Sequence, residues 1–173
     1  MSPNSPLPST SQFGPVHVIE PQSQHIYTII LLHGRGSTGP EFASELFEAK
    51  LSNDQTLPEH LPTVRWVFPL VPRALEAGGA FVESMAAGTK RVLTEQGGSE
   101  AGLLSIPVFL GHGTDDAYVD IELGRQAAQV VGKIGLRVKW REYTGADQEG
   151  HWLKEPEEFD DMASFIASSF ALN

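Results

Sequence analysis

The chain contains no cysteine, which excludes disulfides, thiolate nucleophiles and thiolate zinc sites. Basic residues are also scarce: 12 Lys and Arg stand against 22 Asp and Glu, for a formal net charge of -10. A field of that sign repels phosphate backbones and anionic bilayer surfaces, so nucleic acid is not an expected partner. The Ser- and Pro-rich segment from Met1 to Pro15 has neither a basic start nor an apolar run. It therefore reads as a disordered tail rather than a signal peptide or a membrane span. With no thiol to oxidise and no export signal, the expected location is cytoplasmic.

What remains is enough for one domain. Of 173 residues, 40% are hydrophobic and 20% charged, which suits a single globular domain over 16–173 burying roughly 70% of its unfolded surface. Val16 to Ile19 and Tyr27 to Leu32 are β-rich runs separated by the polar stretch Pro21 to His25, a pattern that predicts a hairpin. The second run is apolar on both faces, as a central strand covered by helices would be. Pro40 to Lys50 has helical spacing at Phe42, Leu46 and Phe47, and Val64 to Pro69 is a further strand. Strand, helix, strand implies a right-handed parallel crossover. The same grammar returns with a strand at Ile106 to Leu110, a helix from Ile121 to Ile134 stopped by Gly135, and an alternating strand at Leu136 to Arg141. Alternation of apolar and basic residues marks that last strand as an edge. A helix from about Glu155 places Phe159, Met162, Ile166 and Phe170 on one face. The predicted class is α/β, a mostly parallel sheet with helices on both faces. Between Arg73 and Ser105 the Ala-, Gly- and Glu-rich sequence supports one helix near Phe81 to Glu95 and no clear strand.

In an open parallel sheet, ligands sit beyond the carboxyl ends of the strands. Three loops there carry chemistry. His33-Gly34-Arg35-Gly36 has glycines that let the backbone turn and aim amides at a developing oxyanion; a plain Gly-rich turn is the bland alternative. Asp115-Asp116 follows the strand ending at Leu110, where an acid can orient a histidine; Asp is equally a common turn residue. Gly150-His151-Trp152 offers a general base, although a lone loop histidine is usually surface decoration. Taken together, acid and then histidine, each after a strand, matches the Ser, Asp, His chain order of α/β-hydrolases.

The segments LLHGRGSTGPEFASELFE, VFLGHGTDDAYV and GHWLKEPEEFDDMASFI resemble the fungal branch of the acyl-protein thioesterase and carboxylesterase family, with RWVFP as a weaker match. That resemblance implies that Asp116 is the triad acid and His151 the triad base, and that the Arg35 backbone amide belongs to the oxyanion hole. It implies hydrolysis of small-molecule or acylated-protein esters and thioesters, without metal or organic cofactor. Relatives of this kind have a shorter loop where Gly145 to Glu149 stands here, which puts the placement of His151 in question.

The departure is the nucleophile. No Gly-x-Ser-x-Gly pentapeptide occurs in the chain, although that strained turn is what exposes a serine to the histidine. Gly97-Gly98-Ser99-Glu100-Ala101 comes nearest, but polar Thr94 to Gln96 precede it where a buried strand is required. Only 17 positions separate Ser99 from Asp116, and 32 separate Ser84 from it. The first interval leaves almost no room for a helix, and the second holds a helix and one strand but not the extra strand that the fold needs. The expectation is an impaired hydrolase; the alternative is a non-catalytic protein that binds an acyl ligand or a partner. A shortened reading frame between Pro72 and Ser105 would leave the same gap. A metal hydrolase built on His33, His112, Asp116 and His151 is a weaker third reading, because no i, i+4 histidine pair occurs. Loss of a central strand further predicts either direct pairing of Tyr27 to Leu32 with Ile106 to Leu110, or a marginal protein that aggregates or forms a homodimer through the exposed edge.

Overall fold

The computed structural model describes residues 16–33, 37–69, 105–133 and 135–170. The chain divides into two compact units, one drawn from Met1–Leu46 and Pro62–Glu76, the other from Phe47–Leu61 and Ala77–Asn173.

In the first unit, β1 (Val16–Ile19), β2 (Tyr27–Ile30) and β3 (Val64–Pro69) form a sheet in the order β1-β3-β2. β3 runs parallel to β2, with Tyr27 opposite Val64, and antiparallel to β1, with Val16 opposite Pro69. The predicted hairpin is therefore not formed, because β3 lies between its two arms. The composition of β3 explains why. Val64, Trp66 and Phe68 are buried along one face of it, and complete burial of a side chain such as Phe68 stabilises the fold by roughly 1.5–3 kcal/mol. A strand with that payload gains most from a neighbour on each side. β2 was expected at the centre, yet Ile30 and Leu32 are exposed. Helix α1 (Gly39–Glu48) follows β2, as the crossover pattern predicts, and its Phe42 ring meets Phe68 edge-on at 6.0 Å.

The second unit opens with α2 (Leu57–His60), a single turn that the hydrophobic pattern does not announce. Thr56 caps it: its side chain accepts from the Glu59 amide while Glu59 reaches back to the Thr56 amide at 2.8 Å. That reciprocal box satisfies donors that so short a helix would otherwise leave open. β4 (Pro107–Gly113) and β5 (Arg137–Tyr143) pair in parallel from Pro107 opposite Arg137 to Gly113 opposite Tyr143. Each strand runs two to three residues past its predicted end. Helix α3 (Ile121–Lys133) connects them, completing the strand, helix, strand unit that the sequence implies. Helix α4 (Glu157–Phe170) buries Phe159, Met162, Ala163 and Ile166, the spacing of one helical face. Each of β2 and β4 has one ladder partner among the described residues, β3 and β5 respectively.

Candidate active site

Because β4 and β5 are parallel, their carboxyl ends lie at the same edge, and the loops leaving them meet. The Thr114 amide extends the ladder by donating to the Tyr143 carbonyl at 2.6 Å, and the Thr114 and Thr144 hydroxyls join at 2.5 Å. From this clasp the two loops carry Asp116 and His151 to each other. His151 Nδ1 lies 2.9 Å from Asp116 Oδ2 and 3.1 Å from Oδ1.

Asp116 is held on several sides. Its Oδ1 accepts the amides of Tyr118 at 2.8 Å and Val119 at 3.0 Å, and its side chain is only 6% exposed. Burial pushes the carboxyl up, but the hydrogen bonds from His151 and from the Tyr118 and Val119 amides outweigh it and hold the group below the ordinary carboxylate range. An ionised carboxylate only accepts hydrogen bonds, so His151 Nδ1 donates, and in the neutral tautomer this selects, Nε2 is the nitrogen with the lone pair. The His151 side chain is 44% exposed, with the Tyr118 ring 5.2 Å away at 59°. A carboxylate-oriented imidazole whose other nitrogen is a free base is an acid–base catalyst in form.

The long segment before His151 does not displace it. Gln148, Glu149 and Gly150 all have left-handed φ, at 54°, 56° and 81°. This tight coil brings the Glu149 carbonyl to the Ala117 amide at 3.0 Å. At Gly150 a β-carbon would stand 2.7 Å from the Asp115 carbonyl and 2.8 Å from the Asp116 amide, so only glycine allows the loops this approach. Asp115 fastens the far end of the same loop. Its Oδ2 accepts the Gly145 amide at 2.9 Å, while Lys154 Nζ donates to the Gly145 carbonyl at 2.9 Å.

Behind the pair, Arg125 grips Glu142 with two bonds of 2.9 and 3.0 Å, and Trp140 Nε1 adds a third of 2.9 Å. Arg125 first, then Trp140, pull the Glu142 carboxyl down to about 2. The sequence did not single out Tyr118 or the backbone of Val119; the aromatic and apolar pair that follows Asp116 after Ala117 was the available signal.

Arg35, Ser84 and Ser99 lie outside the described residues. His33 is buried, with its ring 6.4 Å from that of Phe42. Among the described residues no group of three or more His, Asp or Glu side chains is arranged to hold a metal, so His112, Asp116 and His151 do not form one. No described helix is long and apolar enough to cross a membrane. A cavity of about 290 Å³ is lined by Leu51, Ser52, His60, Asp160, Ala163 and Ala167 among others, and neither member of the pair lines it.

No protein-family model matches the sequence, and no curated protein does either. Solved structures do match. Acyl-protein thioesterase 2 of Zea mays superimposes with a TM-score of 0.59 at 19% identity, over 90% of this chain and 99% of that one. Esterase PE8 gives 0.55 at 16% identity, over 89% and 98%. A phospholipase/carboxylesterase from Dyadobacter fermentans gives 0.50 at 14% identity, over 87% and 95%. Likeness at these identities is likeness of fold: the chain shares the mixed α/β architecture of these structures.

Proposed function

We propose that this chain is an ester hydrolase of the carboxylic-ester and acyl-thioester class, working at a low rate, in which Asp116 and His151 supply the acid–base half of the reaction. The observation that carries this reading is the Asp116 to His151 Nδ1 contact of 2.9 Å, which leaves Nε2 on an exposed ring. In the reaction, Nε2 takes the proton of an attacking hydroxyl as its oxygen bonds to the acyl carbon. It then returns that proton to the departing alkoxide or thiolate as the acyl bond breaks. When the hydroxyl is a serine, water repeats the two steps on the acyl-enzyme; when it is water, one round suffices. No cofactor enters this scheme.

The low rate follows from the sequence. A triad acts as a unit, so a base without an activated nucleophile works far below the rate of a complete triad. No Gly-x-Ser-x-Gly sequence surrounds Ser84 or Ser99, and that turn is what activates such a serine as a nucleophile. Turnover of short p-nitrophenyl esters and of an acyl thioester tests the reading. Slow hydrolysis above buffer is expected, falling to the buffer rate in His151→Ala and close to it in Asp116→Asn. Equal rates in the native chain and His151→Ala would refute it.

The same gap in the sequence favours a second reading, a non-catalytic protein that holds an acyl ligand or partner at the site. A fluorophosphonate probe separates the two. Covalent labelling of Ser84 or Ser99 belongs to the hydrolase; saturable binding of an acyl-thioester analogue with neither labelling nor turnover belongs to the binding protein.

A further inference from the structure

One histidine beside the pair has no place in the proposed reaction. His112, near the end of β4, is half-buried, with its ring 6.3 Å from that of Trp140. Its Nε2 lies 3.0 Å from the Val119 carbonyl and 3.6 Å from Asp116 Oδ2. A carbonyl oxygen can only accept, so Nε2 carries the proton and donates it to Val119; the longer distance to the carboxylate exceeds a hydrogen bond. Val119 is thereby held at both ends of its backbone, its amide by Asp116 Oδ1 at 3.0 Å and its carbonyl by His112. The Asp116 side chain closes the turn from within, and His112 ties its last carbonyl to β4.

We propose that His112 is a positioning residue for the Asp116–His151 pair. By anchoring the Val119 carbonyl it fixes the turn whose amides orient the Asp116 carboxylate, and so sets which tautomer His151 adopts. The proposal rests on the reading of that pair as the acid–base element. Three features support it. The His112 donor is spent on backbone rather than on solvent. Its N–H edge also faces Asp116 Oδ2, the oxygen nearer to His151. Third, Gly124 of α3 leaves room for the ring: a β-carbon there would stand 2.6 Å from His112 Nδ1 and 2.7 Å from the Trp140 ring. The site of the imidazole is thus shaped from the helix side as well as from the strand.

Long-range proton–nitrogen correlation spectra of the uniformly ¹⁵N-labelled full chain read the tautomer of His151 directly, at a pH where its ring is neutral by its own titration. The native chain should show the Nδ1–H form alone. His112→Phe keeps a ring against Trp140 but removes the donor, and should lose the single-tautomer pattern. His112→Gln places an N–H near the position of Nε2 and should restore it. Gly124→Ala displaces the ring without deleting it and should also disturb the pattern, which decides the matter if His112→Phe does not fold. A folded His112→Phe chain with native His151 signals would overturn the proposal. So would a His112→Gln chain no different from His112→Phe, or native His151 signals in Gly124→Ala when those of His112 itself have moved. The readout is independent of turnover, so absent ester hydrolysis with an intact tautomer pattern sinks only the hydrolase reading. A native chain lacking the Nδ1–H form would sink both.

Discussion

Replacing Glu158 by Gln should make the protein more stable at neutral pH and remove a slope from its pH–stability curve. Glu158 sits in the first turn of α4 and is 5% exposed. Its Oε2 accepts the Lys154 amide at 3.0 Å, and its carboxyl occupies the space above Gly111 of β4. Burial pushes this carboxyl from 4.5 up to about 7, with Asp161 adding repulsion and the Lys154 amide opposing both. Between these two values the folded chain holds a proton that the unfolded chain has released, so stability falls as pH rises through this window. The full cost at pH 8 is about 3 kcal/mol, and it vanishes below the unfolded value. Glutamine keeps an acceptor for the Lys154 amide and carries no charge. Urea unfolding at half-unit steps from pH 4.5 to 8 should show the two proteins nearly alike at the acid end. At pH 8 the variant's midpoint should be higher by about 1–2 M, using a typical urea slope of about 2 kcal/mol/M. Subtracting the curves cancels other titrations, which both proteins share. A constant difference across the range would show that Glu158 is not the group whose burial sets the slope.

Two further substitutions probe what holds the pair and its neighbours in place. Gly150→Ala puts a β-carbon against the Asp115 carbonyl at a left-handed position; it should cost roughly 1–3 kcal/mol in thermal unfolding and abolish the His151 tautomer preference, and a native melting temperature would contradict the close approach. Thr56→Ala removes one half of the reciprocal cap of α2 and should cost about 1 kcal/mol, read from the same melts, with no effect on His151.

Local pattern carried the elements but not their neighbours. Val16 to Ile19 and Val64 to Pro69 are strands with the bounds that propensity gives them, and α3 occupies Ile121–Lys133 of the helix expected from Ile121 to Ile134. The position of β3 between β1 and β2 was not legible, because periodicity records how a strand meets its two faces and says nothing of which strands lie at its edges. Polar Pro21 to His25 looked like a hairpin turn for the same reason. The α2 turn was missed although Thr56-Leu57-Pro58-Glu59 has the spacing of a capping box, since four residues are too few for a hydrophobic period. Asp116 and His151 were legible as residues that follow strands; their mutual distance was not, because 35 positions separate them in sequence and only the parallel pairing of β4 with β5 brings their loops together.

That pairing bears on the missing nucleophile. Every described contact that orients the pair comes from β4, β5 and the loops that leave them: the Tyr118 and Val119 amides, the Ala117 to Glu149 bond, the Asp115 to Gly145 bond and the His112 tie. None of these draws on residues between Pro72 and Ser105, where a nucleophile turn would have to stand. Removing such a turn would thus take away the attacking group and leave the base with its proton on the same nitrogen. Among the described residues the pair is a local device, stabilised by the loops that leave β4 and β5. It follows that the order of His151 and the hydrolysis of esters are separable properties of this chain, and that a well-ordered imidazole is evidence for the pair without being evidence for turnover.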